Sequence, residues 1–241
     1  MSGGSRLAFP DGEGLADLAT YARRASVLDE DGAIRLQVTG GARPVLGAWV
    51  CVLPGQGVLR SGLVLGLRTM ALATGQEALD VTVPLAGLAD RFARRASTGD
   101  VSTTLPVPPT TVTPPWTALS PPMGGWERVD EIAPELLAQG ARDGIAEVAQ
   151  GSPEGSGSAA VGALRARVWG RPLPGSGGSG EGAGAAVPGT AVPAGAALAA
   201  HALGFLGPDG AGIPPGAAAF VHRSGPWLRV STAAGHVVLR P

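Results

Sequence analysis

The stretch AIRLQVT, Ala33–Thr39, decides the fold class. Ile34, Leu36 and Val38 alternate with Arg35, Gln37 and Thr39, so an extended chain carries its apolar side chains on one face and its polar ones on the other. A strand of that kind belongs in a sheet with one core face and one wet face, the antiparallel habit. The flanking segments fit. Upstream, GLADLATYARRASVL (14–28) spaces Leu15, Leu18, Ala22, Ala25 and Leu28 by threes and fours, an amphipathic helix that stops at the turn-forming Asp29, Glu30, Asp31 and Gly32. Downstream, VLGAWVCVL (45–53) is apolar throughout and reads as a central strand covered on both faces; residues 62–72 make another, and LDVTV (79–83) alternates again. Pro84 then opens a helix whose buried face is Leu85, Leu88, Ala89 and Phe92, with Arg91, Arg94 and Arg95 complementing the dipole at its end.

Residues 1–104 therefore read as a lobe of helix, four-strand meander and helix. Residues 105–127, rich in proline and threonine, exclude regular structure and form a Pro-rich connector, anchored by Trp116 and Trp126, which are costly to leave in water. Residues 128–241 begin with a helix at Pro134 (Leu137, Ala141, Ile145, Val148) that Gly140 and Gly144 weaken. A second helix covers 159–169, and a third starts at Pro193. A three-strand meander closes the chain: AAAFVHR, WLRVST and HVVLR. Between the second and third helices, residues 174–192 are a Gly-rich loop of flexible composition. The fold expected is α+β, two lobes each with an antiparallel sheet and packed helices, joined by the connector.

The quoted segments FPDGEGLADLATYARRASVLDEDGAIRL, GLRTMAL, DVTVPLAGLADR, PPTTVTPPW and VWGRPL resemble a widespread uncharacterised family of actinobacterial proteins. The resemblance runs over most of the chain and implies no activity.

Composition narrows the function. The 241 residues are enough to bury a core without metal or disulfide staples, and the formal net charge is −1, which supplies no basic field for nucleic acid or an anionic membrane. All 18 basic residues are arginine, a bias of the kind a GC-rich genome imposes, so arginine alone is weak evidence of function. Cys51 is the only cysteine, which rules out an internal disulfide or a cysteine-based zinc site. No apolar leader precedes residue 15 and no run reaches a membrane span's length of about 18 residues, so a cytoplasmic setting is expected.

The chemical motifs are sparse. Gly175, Gly177 and Gly180 spell G-x-G-x-x-G, but no buried strand precedes them, so no dinucleotide cofactor is implied. His201, His222 and His236 lack metal-ligand spacing. Ser224, with His222 or His236 and Asp209, supplies the residue types of a hydrolase triad, yet Ser224 sits in a Ser-Gly-Pro turn without a nucleophile elbow. The acidic groups Asp29–Glu30–Asp31 and Asp130–Glu131–Glu135 read as solvated termini. No catalytic residue, metal or cofactor is assigned. The strongest local pattern is RARVWGRP, where Arg165, Arg167 and Arg171 surround Trp169.

The sequence thus points to a non-catalytic binding or adaptor protein. It would recognise another protein or a small anionic ligand at the inter-lobe surface, with Trp116, Trp126, Arg165, Arg167, Trp169 and Arg171 as contact residues. The alternative is a hydrolase or transferase that holds a phosphate-bearing substrate on the arginine patch.

Overall fold

The structure, a computed structural model, describes residues 5–151, 157–176, 191–207 and 218–241, with the side chain of Ser158 excepted. Most of the 174–192 loop and Asp209 lie outside the described residues. The chain forms two compact units, Met1–Val52 with Leu67–Ala118, and Leu53–Gly66 with Leu119–Pro241. The chain therefore crosses between units in the hairpin around residues 52–67 as well as in the Pro-rich segment. Both units are α+β with antiparallel pairing, as the alternation at Ala33–Thr39 implies.

In the first unit, β1 (Arg6–Ala8) leads into α1 (Gly12–Leu28). Asp11 caps α1: its carboxylate accepts from the backbone N–H groups of Glu13 and Gly14, both at 3.0 Å. Leu15, Leu18, Tyr21, Ala22 and Ala25 form the buried stripe. Next come β2 (Ala33–Thr39), β3 (Val45–Gln56) and β4 (Ser61–Ala71), of which residues 53–56 and 61–66 belong to the second unit, and β5 (Leu79–Pro84), in the spatial order β5-β2-β3-β4. Ile34 faces Val50 on one side and Val83 on the other, so the core face of the quoted strand is continuous with its neighbours. On the opposite face Arg35 pairs with Asp80 at 2.6 Å.

Helix α2 (Leu85–Thr98) ends at Gly99, whose φ of 63° is the left-handed conformation that glycine tolerates. Arg95 ties the chain beyond it by donating to Asp100 at 2.6 Å and to the Thr104 carbonyl at 2.9 Å. The Pro-rich segment holds more order than its composition suggests. Its start is β6 (Thr104–Pro106), paired with β1, and the Val112 N–H donates to the Thr82 carbonyl at 2.9 Å, so the strap runs along the outer side of β5. Prolines there offer no donors to a further strand, which protects the edge. Trp116 sits in a short 3₁₀ turn (Pro115–Ala118) and is 7% exposed.

In the second unit, β7 (Glu127–Ile132) is followed by α3 (Pro134–Gln150), α4 (Ser158–Gly170), α5 (Ala194–Ala202), β8 (Ala219–Ser224), β9 (Trp227–Ser231) and β10 (His236–Arg240). The strands lie in the order β10-β9-β8-β7. Ala219, Val221, Leu228, Val230, Val237 and Leu239 make the inner face, each at most 1% exposed. Helix α5 is nearly all alanine and glycine because it is enclosed: Ala196, Ala197, Ala199 and Ala200 are all 0% exposed.

The glycines of α3, read from sequence as weaknesses, are seats for other side chains. A Cβ at Gly140 would lie 2.4 Å from Leu173 Cδ2, and one at Gly144 would lie 2.2 Å from Trp169 Cζ3. β7, absent from the sequence reading, carries four charges in six residues and owes its conformation to pairing with β8.

Candidate functional site

The outer face of the second unit's sheet gathers polar and aromatic side chains across β7, β8 and β9. Side chains directly opposite on neighbouring antiparallel strands share a face, so the register defines two rows. One runs Arg128, His222, Arg229 and Val238 across β7, β8, β9 and β10; the next runs Glu131, Phe220, Ser231 and His236. A bulge between Arg128 and Asp130 resets β7, so both Arg128 and Glu131 join this face.

Aromatic rings carry the guanidinium groups. Arg128 lies over the Phe220 ring at 4.0 Å, Arg229 over Trp126 at 4.7 Å and Arg240 over Trp227 at 5.9 Å. Trp126 is fixed in turn by its indole N–H, which donates to the Pro122 carbonyl at 3.0 Å.

Two of these arginines, Arg128 and Arg229, differ in what balances them. Arg128 pairs with Glu131 at 2.6 Å, with both side chains more than half exposed, a solvated surface pair worth about 1 kcal/mol at most. Arg229 pairs with no carboxylate among the described residues, and its Nε is buried without a hydrogen-bond partner. Ser231 Oγ, two residues along the same face, is likewise buried without a partner. Leaving such a group unsatisfied costs on the order of 1–3 kcal/mol. Burial lowers the pKa of Arg229 from its ordinary value. Burial, and then the charge of Arg229, hold the His222 imidazole below the usual histidine range. The face combines a stacked, uncompensated guanidinium with an adjacent imidazole and hydroxyl, and so can accept an oxyanion.

The residues singled out in the sequence are dispersed. Trp116 is buried in the first unit. Trp126 is half-buried and belongs to the outer face through Arg229. Trp169 is 4% exposed and packs its ring against Gly144. Arg165 is exposed. Arg167 and Arg171 come together on Glu147 of α3, Arg167 at 4.0 Å and Arg171 in closer contact, so a carboxylate of the chain already engages two of the three guanidiniums. Ser224 Oγ donates to the Gly124 carbonyl at 3.5 Å. Among the described residues no three His, Cys, Asp or Glu side chains gather as metal ligands, and no helix is long and apolar enough to cross a membrane.

Sequence reasoning missed Arg128, Phe220, His222 and Arg229 as a group. The alternation in AFVHRS and WLRVS was a signal for His222 and Arg229, but only the register makes them opposite one another.

The model of the domain of unknown function DUF8010 matches residues 3–118, and that of the domain of unknown function DUF8185 matches residues 121–241. No curated protein matches the sequence. Two solved structures from Pseudomonas aeruginosa are similar. One is the DNA polymerase sliding clamp with ligand, at 13% identity and a TM-score of 0.44. The other is the DNA polymerase III subunit beta, at 14% identity and a TM-score of 0.42. Each match covers 93% of this chain and 62% of the other, so the chain spans less than two thirds of their length.

Proposed function

The chain belongs to the DUF8185 family, whose model covers its C-terminal half, and on that premise we propose that it is a non-catalytic binding or adaptor protein whose partner meets the outer face of the C-terminal sheet. The observation that supports this reading is Arg229, a guanidinium held on Trp126 with no carboxylate beside it among the described residues. Aromatic and arginine side chains at the centre of a contact surface are the residue types that dominate association energy. The alternative of a hydrolase or transferase using the Arg165, Arg167 and Arg171 patch is less favoured, because Glu147 takes up Arg167 and Arg171 while Trp169 is packed into the helices.

The test is site-directed photo-crosslinking of the full chain in extract of its source organism. A crosslinkable residue replaces Arg128 or, as a control, Arg165. A discrete adduct from position 128 and none from 165 is the expected result. Turnover of phosphoesters or esters by the purified chain, lost in R167Q or R171Q, would reverse the assignment.

A further inference from the structure

The face described above has a definite chemical preference, and the inference drawn from it rests on the reading of that face as the binding surface. We infer that its occupant is an acidic protein segment, one of whose carboxylates is received by Arg229, with His222 beside it and Arg128 beyond His222 in the same row. Arg128, His222 and Arg229 stand directly opposite one another on three consecutive strands, and neighbouring strands are separated by about 4.8 Å. The row therefore spans about 10 Å, the reach of two or three residues of an extended peptide.

Two features favour a carboxylate-bearing peptide. Arg229 is only half-buried as a residue and lacks a counter-charge among the described residues, so an incoming oxyanion can pair with it without first displacing a protein carboxylate. The pair beside it, Arg128 with Glu131, is exposed, and Arg128 can exchange Glu131 for a partner's carboxylate at little cost.

Nucleic acid is disfavoured for a geometric reason. A base needs an open aromatic face, and here the rings of Phe220, Trp126 and Trp227 are each covered by an arginine at 4.0, 4.7 and 5.9 Å.

The experiment is isothermal titration of the full chain with a hexaglutamate peptide, a hexaglutamine peptide and hexauridylate. Hexaglutamate is expected to bind and hexaglutamine not to. R229Q is expected to weaken hexaglutamate by about tenfold or more, R229K by less, and R165Q not at all. Equal binding of the two peptides, tighter binding of hexauridylate, or unchanged affinity in a folded R229Q would each overturn the inference. Should R229Q fail to fold, R128Q and H222Q take its place, and full affinity in both is equally fatal. If hexaglutamate does not bind while photo-crosslinking at position 128 still captures a partner, the carboxylate inference falls and the binding reading stands; if both fail, both fall.

Discussion

Replacing Gly144 by alanine tests whether Trp169 is a structural wedge or a free binding anchor. The added methyl group would lie 2.2 Å from Cζ3, 2.6 Å from Cη2 and 3.1 Å from Cε3 of the indole, where ordinary carbon contacts are about 3.5–4.0 Å. Trp169 is 4% exposed, so the ring has little room to withdraw. Overpacking of this kind costs about 1–3 kcal/mol, while exchanging glycine for alanine inside a helix returns about 1 kcal/mol. A net loss of about 1 kcal/mol follows, or about 2–4 °C in melting temperature for a chain of this size. Gly162 provides the control, since it lies in α4 with nothing among the described residues within 4 Å of an added Cβ. G162A should therefore gain up to about 1 kcal/mol by the same helix preference. Urea unfolding followed by tryptophan fluorescence, run on both variants and the parent, measures the difference. If G144A proves as stable as G162A, the indole is not wedged against α3 and the case for a packed Trp169 fails.

Removing the α1 cap with D11A should lower stability by about 1 kcal/mol, because two backbone N–H groups lose their acceptor; thermal unfolding by circular dichroism checks it. His222 should make stability pH-dependent. Burial and the Arg229 charge, with a lesser contribution from Arg128, hold its pKa below the ordinary 6.5, so the folded state takes up its proton less readily than the unfolded chain does. Its contribution is complete above 6.5 and is lost as pH falls toward the lowered value. Urea midpoints should fall with acidification through that window, and H222Q should flatten the slope; an unchanged slope would remove His222 as the cause.

What could be read from the sequence was whatever a single segment encodes. The alternation at Ala33–Thr39 and the threes-and-fours of Leu15, Leu18 and Ala22 reflect burial on one side of one element, and both recur in the structure. Elements that exist through pairing were not legible. β7 spells ERVDEI, without an apolar alternation, and becomes a strand only against β8; β1 and β6 are three residues each and order one another. Gly140 and Gly144 looked like helix weaknesses because the side chains they admit, Leu173 and Trp169, come from elsewhere in the chain.

The candidate site follows the same logic. Local clustering along the chain singles out Arg165, Arg167, Trp169 and Arg171, where the structure puts Glu147 between two of the charges. Arg229 has no such local signature, because its significance depends on Trp126 from the far end of the unit and on His222 from the adjacent strand. Long-range register, rather than residue type, makes that arginine distinctive.

Whether binding is centred on Arg229 is decided by resolving individual arginine side chains. Arginine Nε–Hε resonances of the full chain can be followed by nuclear magnetic resonance during titration with the hexaglutamate peptide. Arg229 is expected to shift most and Arg128 next, while Arg35 and Arg95, already held by Asp80 and Asp100, stay in place. Shifts confined to Arg165, Arg167 and Arg171, with Arg229 unmoved, would contradict a binding site centred on Arg229.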